Sequence, residues 1–207
     1  YYHFAAAAPG NGMFYVVGGY PVSNVTREYN PATNTWTGKA VMPTARRDLT
    51  AAAPGNGKLY AIGGNDGTNN LNTNEEYSPT TNTWVTKTGM STARTYPDSA
   101  ALNGRIYVFS GSGGTGKENE EYDPATDTWS VKSAIPTART YPAAVAINNK
   151  IYVLGSNGSG VNEEYSPNFV TAPLTGVVTW PDGQSRGVLS GAAYPPTASG
   201  SATFIGN

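Results

Sequence analysis

The sequence predicts an all-β fold built from one repeated unit. The pattern TREYNPATNTW recurs as NEEYSPTTNTW and NEEYDPATDTW, and its tryptophans Trp36, Trp84 and Trp129 stand about 45 to 48 residues apart. Intervals of this size are typical of the blades of a propeller. The chain of 207 residues also contains 25 glycines and 15 prolines and shows no sustained helical period, which favours short strands joined by turns.

Each unit opens with a predicted hairpin of two strands. An alanine-rich run ends in a tight turn such as PGNG, where Asn and Gly readily adopt the positive φ that such turns need. An apolar strand that ends in small residues follows the turn. Its four copies are FYVVGG (14–19), LYAIGG (59–64), IYVFSG (106–111) and IYVLGS (151–156).

A second pair of strands completes the unit. The third strand ends on Glu-Tyr, and the next residues, NPAT, SPTT or DPAT, place Pro at the second position of a type I turn. The chain then returns through a strand that carries the tryptophan and leaves through MPTAR, MSTAR or IPTAR. An apolar run ending in small residues, then Glu-Tyr, a Trp about seven residues later and Pro-x-Ala-Arg together resemble the kelch repeat.

The resemblance covers Tyr1 to about Pro167 and implies four-stranded blades arranged around a channel. We therefore predict an all-β, kelch-like β-propeller of about four four-stranded blades, with a divergent β-rich C-terminal segment. The repeats lie near 1–44, 45–92, 93–137 and 138–167. The segment 168–207 contains strand-like pieces but no Trp at the expected distance, and we expect it to cap or dock the propeller.

The sequence leaves three alternatives for how the ring of blades closes. Kelch propellers usually have six or seven blades, and Tyr1 aligns with Arg46, so the chain opens within a repeat. The unit could be a compact four-bladed ring, or a fragment of a longer chain. It could also be a larger ring completed by the C-terminal segment, by swapped strands or by another subunit, with self-association through Phe169 to Asn207 or through open blade edges.

Composition excludes several classes of partner and chemistry. The chain has 13 Lys and Arg against 14 Asp and Glu, with no basic block, so we expect no nucleic-acid binding. No run approaches the roughly 20 apolar residues of a membrane helix, so we expect no membrane insertion, and any signal peptide would already have been removed. The absence of cysteine excludes disulfides and thiolate chemistry.

Residues that recur in every copy are expected to belong to the scaffold. The repeated Tyr and Trp are predicted to pack between strands and blades. Glutamate and arginine recur together as well, and we expect them to form charge-assisted hydrogen bonds between strands or neighbouring blades. The residues are Glu28, Glu76 and Glu121 with Arg46, Arg94 and Arg139.

A position that changes from copy to copy is the best candidate for ligand binding. Two residues beyond the repeated arginine stand His3, Asp48, Tyr96 and Tyr141. The kelch resemblance implies that this position and the loop after the glycine pair, which begins at Tyr20, lie on one face where partners bind. Tyrosine rings beside polar loops suit a glycan or a polar peptide. The alternative is that these are solvated loops whose tyrosines pack on the prolines that follow them.

The inventory of reactive residues argues against an enzyme. Copper oxidases that share a kelch-like propeller use histidine ligands and a Cys-crosslinked tyrosine, whereas this chain has one histidine and no cysteine. No nucleophile elbow is present, and GSGGTGK (111–117) lacks the spacing of a phosphate-binding loop. We therefore expect no catalytic residue, no cofactor and no metal, with a carbohydrate-active or sugar-isomerising propeller as a minor alternative.

The sequence thus favours a non-catalytic recognition or adhesion module, extracellular or on the cell surface, that binds a protein or glycan ligand on the loop face. Two sequons make Asn24 and Asn157 candidate glycosylation sites and support that location. The alternative function is a structural subunit of a surface layer or filament, assembled through the C-terminal segment.

Overall fold

The structure is a computed structural model that describes residues 2–155 and 160–167, together with two short strands further along the chain. Every regular element in these residues is a β-strand, and all the strand pairs are antiparallel. None of the described residues belongs to a helix that is long and apolar enough to cross a membrane. The chain divides into two units, 1–166 and 167–207, which are described separately.

The first unit contains four sheets, and in each the strands are neighbours in chain order. We call the sheets blades 1 to 4. Blades 1 to 3 have four strands each, and blade 4 has three within the described residues. The strands are β1 (Ala5–Ala7), β2 (Phe14–Val17), β3 (Thr26–Asn30) and β4 (Thr35–Gly38); β5 (Thr50–Ala52), β6 (Leu59–Ile62), β7 (Asn74–Ser78) and β8 (Thr83–Lys87); β9 (Asp98–Leu102), β10 (Arg105–Phe109), β11 (Asn119–Asp123) and β12 (Thr128–Val131); and β13 (Ala143–Ile147), β14 (Lys150–Leu154) and β15 (Asn162–Tyr165).

The first strand of each blade lies innermost, and β1 contacts β5, β5 contacts β9 and β9 contacts β13. This arrangement confirms the predicted all-β propeller of about four blades. The hairpins and the Trp-bearing strands also lie where the repeats predict them.

The second unit contains one hairpin in its described part. Its strands are β16 (Val177–Thr179) and β17 (Ser185–Val188), with Val177 opposite Val188. The rest of 168–207 lies outside the described residues, so the capping or docking role of this segment stays a prediction.

The turn between the third and fourth strands is held by a side chain that the repeat conserves. Asn34, Asn82 and Asp127 each have a φ between 53° and 56° in this turn, a conformation that Asn and Asp tolerate better than most residues. Their side-chain oxygens each accept a hydrogen bond from the tyrosine five residues earlier, as Asn82 does from the Tyr77 hydroxyl at 2.9 Å. The same side chain therefore closes the turn and satisfies the buried end of the tyrosine.

Adjacent blades pack through apolar side chains from both partners. We call the side of a blade that meets the next blade its front face, and the opposite side its rear face. Between blades 1 and 2, the front face supplies Tyr15 and Val17 and the rear face supplies Leu59, Ala61 and Tyr77, all fully buried. Each buried aliphatic side chain contributes roughly 1.5–3 kcal/mol to stability. The next two interfaces contain the equivalent residues Tyr60, Ile62, Ile106, Val108 and Tyr122, and then Tyr107, Phe109, Ile151, Val153 and Tyr165.

Two of the repeated tryptophans form hydrogen bonds from their own blade to the preceding blade. The indole Nε1 of Trp84 donates to the carbonyl oxygen of Ala40 at 2.9 Å, and Trp129 donates to that of Thr88 at 2.7 Å. Trp36 differs, since it is 52% exposed and has no preceding blade within the described residues.

The repeated arginines pair with glutamates, as predicted, but the predicted partners Glu28, Glu76 and Glu121 are wrong. Arg94 contacts Glu120 of the next blade at 2.9 Å, and the equivalent pairs Arg46–Glu75 and Arg139–Glu163 are both 3.0 Å long. The predicted partners Glu28, Glu76 and Glu121 stand one residue later in the strand and so point to the opposite face of the sheet. Glu76, for example, accepts hydrogen bonds from the Tyr60 hydroxyl at 2.7 Å and from Lys58 at 2.8 Å.

The arginine of each pair spans two strands of the neighbouring blade. Arg94 is fully buried and also donates to the carbonyl oxygen of Ser110 at 3.1 Å. In the equivalent pair, burial lowers the pKa of Arg46 to about 10 while Glu75 opposes that effect, so the guanidinium stays charged at neutral pH. Each arginine therefore links one blade to the next through a charged, water-excluded contact.

We expect Arg94→Met to destabilise the fold by about 3–5 kcal/mol, because it leaves the Glu120 carboxylate buried without its partner. Urea denaturation measures this loss. The matched control is Lys150→Met, which breaks the exposed Lys150–Glu164 pair and should change stability little, since water screens that pair. A loss for Arg94→Met no larger than that for the control would contradict the structural role of the buried pair.

Candidate functional site

Four residues at one repeated position form the centre of the candidate site. His3, Asp48, Tyr96 and Tyr141 all have a φ between 56° and 60°, and each comes just before the innermost strand of its blade. The amide of Asp48 donates to the carbonyl oxygen of His3, and the amide of Tyr96 donates to that of Asp48, both at 2.9 Å. All four residues share this positive φ, so the backbone conformation is a feature of the repeated blade. Only the side chain at this position varies from blade to blade.

His3 and Asp48 form a close polar contact. Nδ1 of His3 lies 2.5 Å from Oδ1 of Asp48, and Nε of Arg47 lies 3.4 Å from Oδ2 of the same carboxylate. The Asp48 side chain is 2% exposed, whereas the His3 side chain is 39% exposed. The buried carboxylate therefore anchors two side chains that solvent and ligands can reach.

Tyr96 and Tyr141 form an aromatic pair beside this contact. Their ring centroids are 4.0 Å apart with an interplanar angle of 34°, and the Tyr96 ring lies 6.2 Å from the His3 ring. A hydrogen bond to Tyr141, burial and the negative charge of Asp48 together raise the pKa of Tyr96 to about 12. Tyr96 thus stays a neutral phenol at physiological pH, and Tyr141 presents an exposed ring, 55% accessible, above it.

A second aromatic group extends the site towards blade 1. The rings of Tyr2 and Tyr20 stack at 4.7 Å, and the guanidinium of Arg47 lies 5.3 Å from the centroid of Tyr20. Tyr20 is among the residues predicted from the sequence, whereas Tyr2 and Arg47 are not. Both occupy the position just before His3 and Asp48, which also changes between blades, so the same comparison of repeats would have found them.

The structure brings the predicted ligand-binding residues together. His3, Asp48, Tyr96 and Tyr141 follow one another in contact, and Tyr20 joins them through Tyr2, whose ring is 5.0 Å from that of His3.

The two candidate glycosylation sites are not part of this cluster. The backbone oxygen of Asn24 accepts a hydrogen bond from the amide of Met42 at 2.8 Å, and the Asn24 residue is half-buried. Asn157 lies outside the described residues.

Polar groups of the loops near the site form hydrogen bonds within these loops and between them. The side-chain amide of Asn70 donates to the backbone oxygen of Ser112 at 3.1 Å, which links the loops of blades 2 and 3. Backbone hydrogen bonds from Asn69 and Thr68 hold the pKa of the Asp66 carboxyl below its usual range. Part of the polar capacity of these loops is therefore satisfied within the protein.

Asp98 lies within the propeller, at the start of an innermost strand. Its Oδ2 accepts a hydrogen bond from the amide of Ala144 at 2.7 Å, and its Oδ1 accepts one from the Thr50 hydroxyl at 3.2 Å. Burial raises the pKa of Asp98, although these hydrogen bonds oppose that effect. The carboxyl joins three neighbouring blades. Within the described residues, no group of three or more acidic or histidine side chains is arranged to hold a metal ion.

The fold and this site together define a β-propeller built of kelch repeats, with variable side chains set on a repeated backbone. Residues 2–205 match the family model described as the KLHDC2/KLHL20/DRC7 Kelch-repeats domain. The chain therefore belongs to the kelch-repeat family, and the resemblance seen in the sequence is confirmed. The match includes most of 168–207, the segment predicted from the sequence to be a divergent tail. Kelch domains generally mediate protein–protein interactions.

Solved structures show the same fold. The structure titled "Structure of YjhT" is similar with a TM-score of 0.68 and 19% sequence identity, covering 84% of this chain and 67% of that one. At this identity the similarity shows the fold alone. No curated protein matches the sequence.

We expect Asp98→Asn to change stability in a pH-dependent way. A raised pKa means that the folded state favours the protonated carboxyl, so the folded protein loses stability as the pH rises through that pKa. Asparagine cannot ionise, so Asp98→Asn should raise the melting temperature relative to wild type more at pH 7 than at pH 4.

Asp66→Asn is the matched control for this experiment. The pKa of Asp66 is lowered, so its stabilising effect is present at pH 7 and is lost as the pH falls through the lowered value. The pH dependence of the control should therefore have the opposite sign. Thermal melts of both variants at the two pH values measure this, and the same sign for both would contradict the assignment.

Proposed function

We propose that this propeller is a non-catalytic recognition module that binds a polar segment of a partner protein at the cluster of His3, Asp48, Tyr96 and Tyr141. The exposed Tyr141 ring, packed against the half-buried Tyr96 at an interplanar angle of 34°, is the observation that carries the proposal. Membership of a family whose domains generally bind proteins supports a protein ligand. A glycan is the second candidate, because flat tyrosine faces beside polar groups also suit sugar rings.

The aromatic pair supplies both contact area and hydrogen bonds. The Tyr141 hydroxyl, on a ring that is 55% exposed, can donate to or accept from a polar group of the ligand, such as a peptide carbonyl or a sugar hydroxyl. Rigid aromatic residues lose little conformational entropy on binding, which favours affinity.

The neighbouring charged groups add selectivity for polar ligands. The Arg47 guanidinium lies beside the Asp48 carboxylate, with Nε 3.4 Å from Oδ2, and guanidinium nitrogens bind carbonyl and carboxylate oxygens well. Because Asp48 is already buried, its carboxylate pays no new desolvation cost when a ligand arrives. The site is therefore preorganised before binding.

The contact between the His3 ring and the buried Asp48 carboxylate holds the imidazole in place, and the His3 side chain is exposed enough for a ligand to reach it.

An extracellular or cell-surface location is part of the proposal and is supported by the sequon at Asn24. The Thr26 of this sequon is 1% exposed within β3, so glycosylation would have to precede folding of blade 1. An intact mass of protein from its native source tests this point, and a mass equal to that of the bare polypeptide would remove the support.

We expect Tyr96→Ala and Tyr141→Ala each to weaken binding about tenfold or more, as is typical for aromatic residues at the centre of an interface. Arrays of polar peptides and of glycans identify the ligand, and titration calorimetry then measures affinity.

Tyr29→Ala removes a tyrosine away from the site and should leave affinity unchanged, with melting temperatures recorded for all three variants. Unchanged binding in the Tyr96 and Tyr141 variants would reject the site. Chemical conversion of a bound glycan, followed by NMR, would reject the non-catalytic role.

A further inference from the structure

A pocket between blades 1 and 2 lies at the end of the blades opposite the candidate site. His3 comes before β1, whereas this pocket is formed around the turn that follows β1. The pocket has a volume of about 340 Å³ and takes residues from both blades. Its lining includes Pro9, Met13, Tyr15 and Glu28 of blade 1 and Pro79 and Thr80 of blade 2.

A carboxylate and a phenol form the polar part of the pocket. The Tyr15 hydroxyl donates to Oε2 of Glu28, and the side-chain amide of Asn11 donates to the Tyr15 oxygen at 2.9 Å. Burial acts to raise the pKa of Glu28, but the hydrogen bonds from Tyr15 and Lys39 and the charge of Lys39 outweigh it and lower the pKa. Glu28 is therefore an anion at neutral pH, and its side chain is 18% exposed.

Blade 2 repeats this arrangement with one difference. The Tyr60 hydroxyl donates to Oε2 of Glu76 at 2.7 Å, and the side-chain amide of Asn56 donates to the Tyr60 oxygen at 3.0 Å. Lys58 stands where blade 1 has Met13, just before the second strand. Its Nζ donates to Oε1 of Glu76 at 2.8 Å.

Blades 3 and 4 also have a cation at the start of the second strand. Nζ of Lys150 lies 2.6 Å from Oε1 of Glu164, and Arg105 pairs with Asp123. Blade 1 has the thioether of Met13 in that place, and it packs against the apolar cluster between blades 1 and 2. Blade 1 therefore keeps the carboxylate of the repeat but replaces the cation by an apolar side chain.

The number of lysines around the carboxylate differs in the same way. Burial acts to raise the pKa of Glu76, but its hydrogen bonds and the charges of Lys58 and Lys87 outweigh this and lower the pKa. In the described part of the chain, Glu28 pairs with one lysine, Lys39, whose Nζ lies 2.9 Å from Oε1. Lys39 corresponds to Lys87, at the end of the fourth strand. The carboxylate of blade 1 thus has one ammonium partner where that of blade 2 has two.

We propose that this pocket is a second binding site, separate from the candidate site, and that it takes a lysine side chain of a partner protein. The ammonium lies against Glu28 and makes the charge-assisted hydrogen bond that Lys58 makes in blade 2. The methylene chain covers the apolar walls at Pro9, Met13 and Pro79, as lysine stems commonly do on apolar surfaces.

The other blades also indicate why the side chain is lysine. Lys58 and Lys150 each reach a glutamate from this position, whereas Arg105 pairs with an aspartate instead. Oε1 of Glu28 already pairs with Lys39, but a carboxylate oxygen has two lone pairs and can accept from a second donor. Binding therefore gives Glu28 the two ammonium partners that its equivalent in blade 2 has within the chain.

An NMR titration of the full chain, labelled at the methionine methyl groups, tests the proposal. The chain has three methionines, and the buried Met42 and Met90 serve as internal controls. The probe is the peptide acetyl-Gly-Lys-Gly-amide, and we expect a saturable shift of the Met13 signal alone. The same peptide with norleucine for lysine keeps the methylene chain without the charge and should bind about tenfold more weakly or not at all.

Two variants separate the contact with the ligand from the fold. Glu28→Gln keeps an acceptor for Tyr15 but removes the charge, so it should weaken binding of the lysine peptide about tenfold or more. Met13→Lys supplies the ammonium from the chain itself and should abolish binding without lowering the melting temperature. The amide signal of Gly57, which also lines the pocket, reports binding for this variant. Glu76→Gln alters the equivalent carboxylate of blade 2 and is the matched control, with binding unchanged.

The absence of a saturable shift with the lysine peptide would overturn the proposal. Equal binding of the norleucine peptide, or binding that Met13→Lys leaves unchanged, would overturn it as well. Tyr141→Ala should bind the lysine peptide as the wild type does, because that ring belongs to the candidate site at the other end of the blades. A loss of binding in Tyr141→Ala would place the peptide at the candidate site and reject the second one.

Discussion

The alternation of side chains along a β-strand is the constraint on which this structure depends. In the second and third strands of each blade, one residue faces the next blade and its neighbour faces the preceding one. Tyr60 and Glu76 are paired on the front of blade 2, whereas Ala61 and Glu75 are paired on its rear. A slip of one residue would exchange the two sets, so the two-residue period fixes how a blade meets both neighbours.

The buried arginines act within this constraint. Replacing a buried ion pair by apolar side chains is often neutral or stabilising, so stability alone does not explain why the pair recurs. Arg94 reaches Glu120 on β11 and the carbonyl oxygen of Ser110 just beyond β10 at the same time. Both contacts form only when the next blade stands at one height and one angle. We interpret the pair as the element that sets the register between blades, with the apolar contacts supplying most of the free energy.

Much of the fold could be predicted because the repeats serve as an internal comparison. The apolar runs, the turns at Asn34 and Asn82, and the Trp-bearing strands recur at fixed distances, and local chemistry explains each of them. The pairing of arginine with glutamate could not be assigned in this way, since two consecutive glutamates recur. The sequence of blade 1 could have shown which glutamate pairs with the arginine. Blade 1 has Glu28 but carries Arg27 where the other blades have their first glutamate. Tyr1 stands at the position of the arginine that would pair with that first glutamate.

The candidate site was predictable in its positions but not in its contacts. Variation between blades pointed to His3, Asp48, Tyr96 and Tyr141, yet the distance between His3 and Asp48 depends on the height at which neighbouring blades are held. Because the contacts between blades set the position of these residues, their side chains can differ from blade to blade. Arg94 fixes blade 2 to blade 3, and two residues later Tyr96 lies in the candidate site on a backbone that all four blades share. A change of side chain at that position would alter the candidate site while leaving the buried Arg94–Glu120 pair in place.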